Sequence, residues 1–477
     1  MNAIQKMIIA GRQRDSGKRF KVLDKYTGET IAEVHVAERA QVEEAITAAE
    51  GAKQIMADLP AHRRASIIRA AAGIIEQQKN ELTVTIAREA GKPCRYAKAE
   101  VERCVENLEY ISEEAKRIHG ETLPIDAGRS GEGRTGYYER FPIGTVAAIS
   151  PFNFPLNLAA HKLGPAVAAG CPAILKPSSA APLSGIALVR AFVEAGVPEG
   201  GISVLPGTGP EVGDPLVSDG RISKVSFTGS KAVGEQIVRA AGLKRVTMEL
   251  GSNSGVVIDR EVGDIGRIAK RCVLGAFYNQ GQVCISIQRI YVHADRYDDF
   301  VASFSAQASK LKIGNPTDPA TEIGPMIAQA ELERVRSWVD EAIGQGARLL
   351  FGNRSDGPVY YPTALTDVTP DMKVVKEEVF GPVAVVVKVD SFEQGVELCD
   401  QSQYGLQAGV FTDNINRALR AVRRINAGGV MINDFPSYRV DHMPYGGNKA
   451  SGLGREGAKF AIEEMTTLRM VVFNQTL

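Results

Sequence analysis

Cys284, in the run FYNQGQVCIS, offers the first chemistry in this chain. A cysteine between apolar neighbours is usually buried and inert. Here Gly281 precedes it and makes a permissive loop that could present the thiol. A thiolate can add to an aldehyde, and the hemithioacetal can lose hydride to leave a thioester. Glu249, in MELGSNSG, falls at the end of an expected strand. A strand-end carboxylate is usually a solvated charge. In a cleft it could activate water to hydrolyse a thioester. Asn153 stands between two aromatics in SPFNFP. A loop asparagine usually caps a turn. Its amide could also donate to a developing oxyanion.

Two further motifs are weaker alone. FTGSKAVG places Gly229 and Ser230 at a strand-to-helix turn, which suits a pyrophosphate as well as an ordinary serine cap. Its spacing is neither GxGxxG nor a Walker loop. EEVFGP holds Glu378 and Phe380 beside a turn at Gly381 and Pro382.

The elements that must position these residues follow from periodicity. Residues from about 40 to 120 read as helices; in HRRASIIRAAAGIIEQQ, Ile67, Ile68, Ala71, Ile74 and Ile75 share one face. From Gly144 to Gly251, short apolar runs alternate with helical segments, as in a parallel sheet covered on both faces. PFNFP, KPSS, LPGTG, FTGS and ELGS fall at the carboxyl ends of its strands, where such sheets bind ligands. A second alternating region runs from about 255 to 430. The polar stretch 126–136 interrupts the pattern, and Tyr137 to Phe141 resumes as strand. The closing MTTLRMVVFNQTL reads as a strand, either pairing with that arm to build an oligomer interface or edging its own domain.

With 477 residues, the chain is longer than one core usually serves. Lys+Arg and Asp+Glu both number 56, so a basic nucleic-acid footprint is absent. No stretch approaches the roughly 20 apolar residues of a membrane span, and the N-terminus lacks a signal-peptide pattern. Six scattered cysteines without CxxC, and few histidines, give no metal spacing; free thiols in a reducing cytoplasm are expected.

In order and approximate spacing, PFNFP, LKPSS, FTGS, MELGS, GQVC, EEVFGP and MPYGGNKASGLGREG resemble the aldehyde dehydrogenase superfamily over nearly the whole chain. The loop NDFPSYRVDHMPYGG resembles those of lactaldehyde-type and related small-hydroxyaldehyde members. The resemblance implies an α/β fold with a doubly wound parallel-sheet cofactor domain, an α/β catalytic domain and a small β oligomerisation arm. The expected boundaries are 1–125 and 140–250 for the cofactor domain, 251–430 for the catalytic domain, and 126–139 with 460–477 for the arm. It further implies Cys284 as nucleophile, Glu249 as the base for deacylation, and Asn153 with the Cys284 backbone N–H as oxyanion hole. Lys176 would bond the adenosine ribose, Gly229 and Ser230 the pyrophosphate, and Glu378 and Phe380 the nicotinamide ribose and ring. The product would be a carboxylic acid. Members that pass the acyl group to coenzyme A tend to lack a carboxylate at the Glu249 position, which disfavours that alternative. Retention of Cys284, Glu249 and Asn153 weighs against a non-catalytic binding protein. A homodimer or homotetramer is expected.

Departures from the family pattern bear on specificity. Many NAD-using members have glutamate where this chain has Ser179. Losing that charge removes repulsion of a 2′-phosphate, and Lys176 could pair with one, so NADP is favoured over NAD. His161 and Tyr278 stand where succinic semialdehyde enzymes tend to carry arginines, and Val283 where phosphoglyceraldehyde enzymes often carry one. Arg439 supplies a different cation, able to hold a carboxylate, sulfonate or phosphate, or to pair with Asp434 or Asp441. His161, Tyr438 and Arg439 are thus pocket candidates for a small, hydroxylated or anionic aldehyde.

Overall fold

The computed structural model describes residues 3–475. Five parallel strands form the centre of the first sheet, in the order Arg245–Glu249, Ile222–Thr228, Thr145–Ile149, Ala173–Lys176, Ile202–Val204. Their side chains are mostly buried, as the unbroken apolar runs require when helices cover both faces. The chain steps outward from Thr145–Ile149 in one direction and then returns to its other side with Ile222–Thr228. That reversal opens a crevice beyond the carboxyl ends of these two strands. Antiparallel strands Met7–Ile9, Arg12–Arg14 and Gly452–Leu453 extend the sheet edges. The periodicity from about 40 gave no signal for Met7–Ile9 and Arg12–Arg14.

Helices Arg39–Ala57, Ala61–Gln77, Lys79–Ala90 and Cys94–Glu114 occupy the region read as helical. Ile67, Ile68, Ala71 and Ile75 are buried, and Ile74 packs half-buried against the same core. Each of the buried isoleucines contributes about 2 kcal/mol of apolar burial. Helix Asn157–Ala169 is buried over its whole length, so it runs through the core.

The second sheet has the order Arg348–Phe351, Thr363–Thr366, Val383–Val389, Arg289–His293, Gly255–Ile258, Gln407–Phe411, Gly429–Ile432. All its pairs are parallel except the first. Strand Thr466–Asn474 pairs antiparallel with Arg134–Pro142 along its full length, and Glu121–Leu123 lines the other side of Arg134–Pro142. This small sheet differs from the arm read from sequence. It starts before 126 and passes 139, and residues 458–464 form the helix Ala458–Glu464. Short helical turns at Ile125–Ala127 and Arg129–Gly131 fill the polar stretch. The arm's last two residues lie outside the described ones. Among the described residues, no helix is long and apolar enough to cross a membrane, and no cluster of His, Cys, Asp or Glu is arranged to hold a metal.

Candidate active site

Asp264 caps helix Ile265–Phe277 by accepting from Gly266 and Arg267 N–H. The helix ends at Tyr278, and three successive residues then enter the left-handed region: Asn279, Gln280 and Gly281, at φ 50°, 55° and 67°. Two of these are not glycine, so the bend is strained and needs outside support. Gln280 Nε2 supplies it by donating to the Gly91 and Pro325 carbonyls at 3.0 Å. A Cβ on Gly281 would sit 2.1 Å from the Gly381 carbonyl oxygen. The bend thus packs the Cys284 loop against the EEVFGP turn, where Phe380 itself adopts φ 47°.

Asn153 is buried on the loop after strand Thr145–Ile149. Its Nδ2 donates one hydrogen to the Gln282 carbonyl at 2.9 Å, two residues before Cys284, which leaves the second N–H available. Glu100 anchors this loop: its carboxylate accepts from Leu156 and Asn157 N–H at 3.0 and 3.2 Å. Lys92 pairs with Glu100 and lies 3.6 Å from the centroid of the Phe154 ring.

Glu249 closes its strand at the neighbouring position, and its carbonyl accepts from Gly229 N–H at 3.0 Å. Both carboxylate oxygens are buried without a hydrogen-bond partner among the described residues. Burial first, and then the charge of Glu456, push its carboxyl well above the usual range.

These three residues line one cleft of about 770 Å³ together with Lys176, Ser179, Gly229, Ser230, Glu378 and Phe380. Ser230 precedes helix Lys231–Ala241, and its side chain makes no cap bond, so the first turn is open toward the cleft. Among the described residues, the Lys176 ammonium bonds only its neighbouring Pro177 carbonyl, at 3.2 Å, and burial lowers it to about 8. Ser179 donates to the Gly207 carbonyl at 3.3 Å. Glu378 accepts from Ser252 N–H at 2.9 Å, and burial raises its carboxyl to about 7. A Cβ on Gly251 would fall 2.1 Å from that carboxylate. A helix N-terminus, a buried ammonium short of acceptors and a carboxylate across the cleft fit a dinucleotide's pyrophosphate and two riboses.

Cys284 also lines a second cavity of about 270 Å³, with Arg103, Tyr278, Ser437, Arg439 and Tyr445. Arg439 faces Asp441 at 3.5 Å and Glu456 at 3.3 Å; Asp434, its other candidate partner, pairs instead with Arg271. His161 lies behind Arg439, fully buried, with Nε2 2.9 Å from Asp441. Burial and the Arg439 charge lower its affinity for a proton. Tyr438 is 45% exposed and lines neither cavity.

The aldehyde dehydrogenase family model matches residues 12–471. The chain belongs to the aldehyde dehydrogenase family. As such it is an NAD(P)-dependent aldehyde oxidoreductase. The 3-sulfolactaldehyde dehydrogenase of Priestia megaterium is 42% identical over 468 residues, covering 98% of each chain. Aldehyde dehydrogenase 21 from Physcomitrella patens, solved with the reaction product succinate, superposes with a TM-score of 0.98 at 38% identity, covering 100% of this chain and 99% of that one. Glyceraldehyde-3-phosphate dehydrogenase from Methanocaldococcus jannaschii, solved with NADP, gives 0.92 at 36%, covering 96% and 100%.

The dehydrogenase contains site residues that motif reading passed over. Lys162 donates to Glu456 at 2.8 Å and to Thr228 at 2.7 Å. Arg103 bonds Asp441 at 2.7 Å. Tyr445 lies 3.1 Å from the Cys284 sulfur. Lys162 and Arg103 sit within helical patterns with nothing local to mark them. Tyr445 lay in plain view inside MPYGG.

Proposed function

We propose that this dehydrogenase oxidises a small anionic hydroxyaldehyde to its carboxylic acid, through a thioester on Cys284 released by hydrolysis, with NADP preferred. The observation that carries the reading is the thiol's place at the junction of two cavities. Cys284 lines both: the larger fits the dinucleotide, and the smaller presents Arg103, Arg439 and Tyr445 to the thiol.

The Cys284 thiolate adds to the carbonyl carbon. Asn153 Nδ2 and the Cys284 backbone N–H hold the oxyanion that forms. NADP, when bound, supplies the two-electron acceptor that oxidises the adduct. Glu249 then takes a proton from water, the water oxygen attacks the thioester carbon, and Cys284 departs as thiolate. The raised carboxyl of Glu249 makes it a stronger base than an exposed glutamate.

Charge supports an anionic substrate. Around the smaller cavity three cations, Arg103, Arg439 and Lys162, meet two carboxylates, Asp441 and Glu456. Burial disfavours the charged forms of both His161 and Glu249. The surplus positive charge reaches the cavity through Arg103 and Arg439. Sulfolactaldehyde, the substrate in the Priestia relative's name, has a matching anionic head.

The exposed apolar side chains Leu468, Met470, Val472 and Phe473 on the outer strand support association of copies through this arm. Light scattering should give a dimer or tetramer mass, reduced by Val472→Lys.

The test of function follows reduced-nicotinamide absorbance with NAD or NADP. The panel is lactaldehyde, 3-sulfolactaldehyde, glyceraldehyde 3-phosphate, succinic semialdehyde, benzaldehyde and simple alkanals, with and without coenzyme A. The expected result is NADP-linked turnover of the anionic hydroxyaldehydes, an acid product unaffected by coenzyme A, and none with Cys284→Ala. Turnover restricted to benzaldehyde or alkanals sinks the anionic reading; an acyl-coenzyme A product sinks hydrolysis.

A further inference from the structure

Tyr445 lines the smaller cavity beside the reacting sulfur and is not part of the cofactor cleft. Its hydroxyl oxygen lies 3.1 Å from Cys284 Sγ, within bonding distance for sulfur. The ring is buried, 3% exposed, so the hydroxyl cannot be exchanged freely for a water contact. Arg439 stacks on the ring, its guanidinium carbon 3.7 Å from the centroid. The next residue, Gly446, fixes the approach: a Cβ there would stand 2.9 Å from a Glu249 carboxylate oxygen and 2.7 Å from the Gly454 carbonyl. The loop that carries Tyr445 is thereby pinned against the two groups that the proposed reaction needs.

A thiolate has no hydrogen to give, so in the ionised state only the phenol can donate across this contact. A hydrogen bond to an ionised acceptor is about twice as strong as one between neutral groups. A cation over the ring face draws electron density from the phenol and strengthens it as a donor. We infer that Tyr445 is a catalytic residue: its hydroxyl donates to the Cys284 thiolate and, with Arg439 stacked behind it, holds the sulfur in its nucleophilic form. The inference rests on Cys284 being the nucleophile.

The surroundings show why such a donor is needed. Burial pushes the thiol up to about 11; the Tyr445 bond and the Arg439 charge act against that, and the Glu378 and Glu249 carboxylates add to it. Tyr445 itself is held well above its ordinary value, first by burial and then by the neighbouring sulfur, which favours its neutral, donating form. Phenylalanine in the same place would fill the space and give no hydrogen bond.

The test is the pH profile of iodoacetamide alkylation of the full-length protein, read as the mass of the Cys284 peptide, for wild type and Tyr445→Phe. The midpoint should rise by about one pH unit, with alkylation near neutral pH slowed about tenfold. An unmoved or lowered midpoint overturns the proposal, because packing alone does not need the oxygen. Replacement of Tyr445 by 3-fluorotyrosine, a more acidic phenol of nearly the same shape, should lower the midpoint; it keeps the test decisive if the phenylalanine variant folds poorly. Turnover retained in Cys284→Ala would instead remove the nucleophile reading, while the alkylation midpoints would still report on the bond.

Discussion

The two cavities that meet at Cys284 treat polar groups in opposite ways. On the cleft side they stand short of partners. Among the described residues, Glu249 has two buried oxygens without a hydrogen bond, Lys176 bonds only its neighbouring carbonyl, and Ser230 makes no cap bond. On the other side charges interlock. Asp441 accepts from Arg103 and His161 and faces Arg439, while Glu456 holds Lys162 and Arg439. An unpaired buried group raises the energy of the empty site and is satisfied when a ligand or a reacting atom arrives. An interlocked one fixes shape and field before anything binds. The first wall is built for turnover and the second for position. Substitutions should therefore separate: the cleft wall should lose rate and keep stability, and the far wall should lose stability.

Cys284→Ala marks the junction and should have the largest effect, a loss of turnover on the order of 10⁴-fold or more. Its thermal midpoint should barely change. Next comes Glu249→Gln. Turnover should fall about 10³-fold, within the range for a general base. The defect should be confined to thioester release, so rapid mixing should still show one equivalent of reduced nicotinamide per site. Stability should stay level or rise, since an unpaired buried carboxyl is replaced by a neutral amide. A clear drop in stability would break the contrast between the walls.

Asp441→Asn tests the other half. Breaking a buried ion pair by removing one partner costs about 3–5 kcal/mol, and the partly exposed Arg103 places this one near the lower end. Denaturant titration should show that loss before kcat with the best aldehyde has fallen tenfold. The two carboxylates should also answer pH with opposite sign. The His161 hydrogen bond and the Arg103 and Arg439 charges overcome burial and hold Asp441 well below its ordinary 3.8, so its contribution is complete above that value and is lost as pH falls. Burial raises Glu249 above its ordinary 4.5, so the stability linked to its neutral form is lost as pH rises through the raised value. Turnover runs the other way, because the base must be ionised. The acid limb of kcat should lie well above the usual carboxylate range, and a limb near pH 4.5 would contradict the burial of Glu249.

The same contrast explains what could be read from the sequence. Cys284, Glu249, Asn153, Gly229 and Glu378 fall at strand ends or turns, beside glycine and proline, where local pattern marks them and sheet topology gathers them into one cleft. The far wall has no local mark. His161 and Asp441 are 280 positions apart, and Lys162 and Glu456 are 294 apart. Each reads as an ordinary polar residue until the fold brings it to its partner. Arg439 was visible as a cation near a pocket, but its partners Asp441 and Glu456 become clear only when the loop closes over helix Asn157–Ala169. The left-handed pair Asn279 and Gln280 was equally hidden, because its strain is held by carbonyls of Gly91 and Pro325.

The smallest expected effect returns to the cleft wall. Ser179 lines the cleft with Lys176, and its hydroxyl donates to the Gly207 carbonyl. Ser179→Glu would place a carboxylate beside the ammonium that we assign to the cofactor's adenosine ribose. Repulsion of a 2′-phosphate at this partly solvated site is worth about 1–2 kcal/mol, which is about tenfold in kcat/KM for NADP. NAD carries no phosphate there, and its ribose hydroxyls can donate to the new carboxylate, so its kcat/KM should hold or improve. Stability should not change, because nothing at Ser179 interlocks. If NADP and NAD fell together, Ser179 would not face the 2′ position, and the cofactor preference would have to come from another part of the cleft. If stability fell instead, the residue would belong with the paired groups, and the division between the two walls would no longer follow the two cavities.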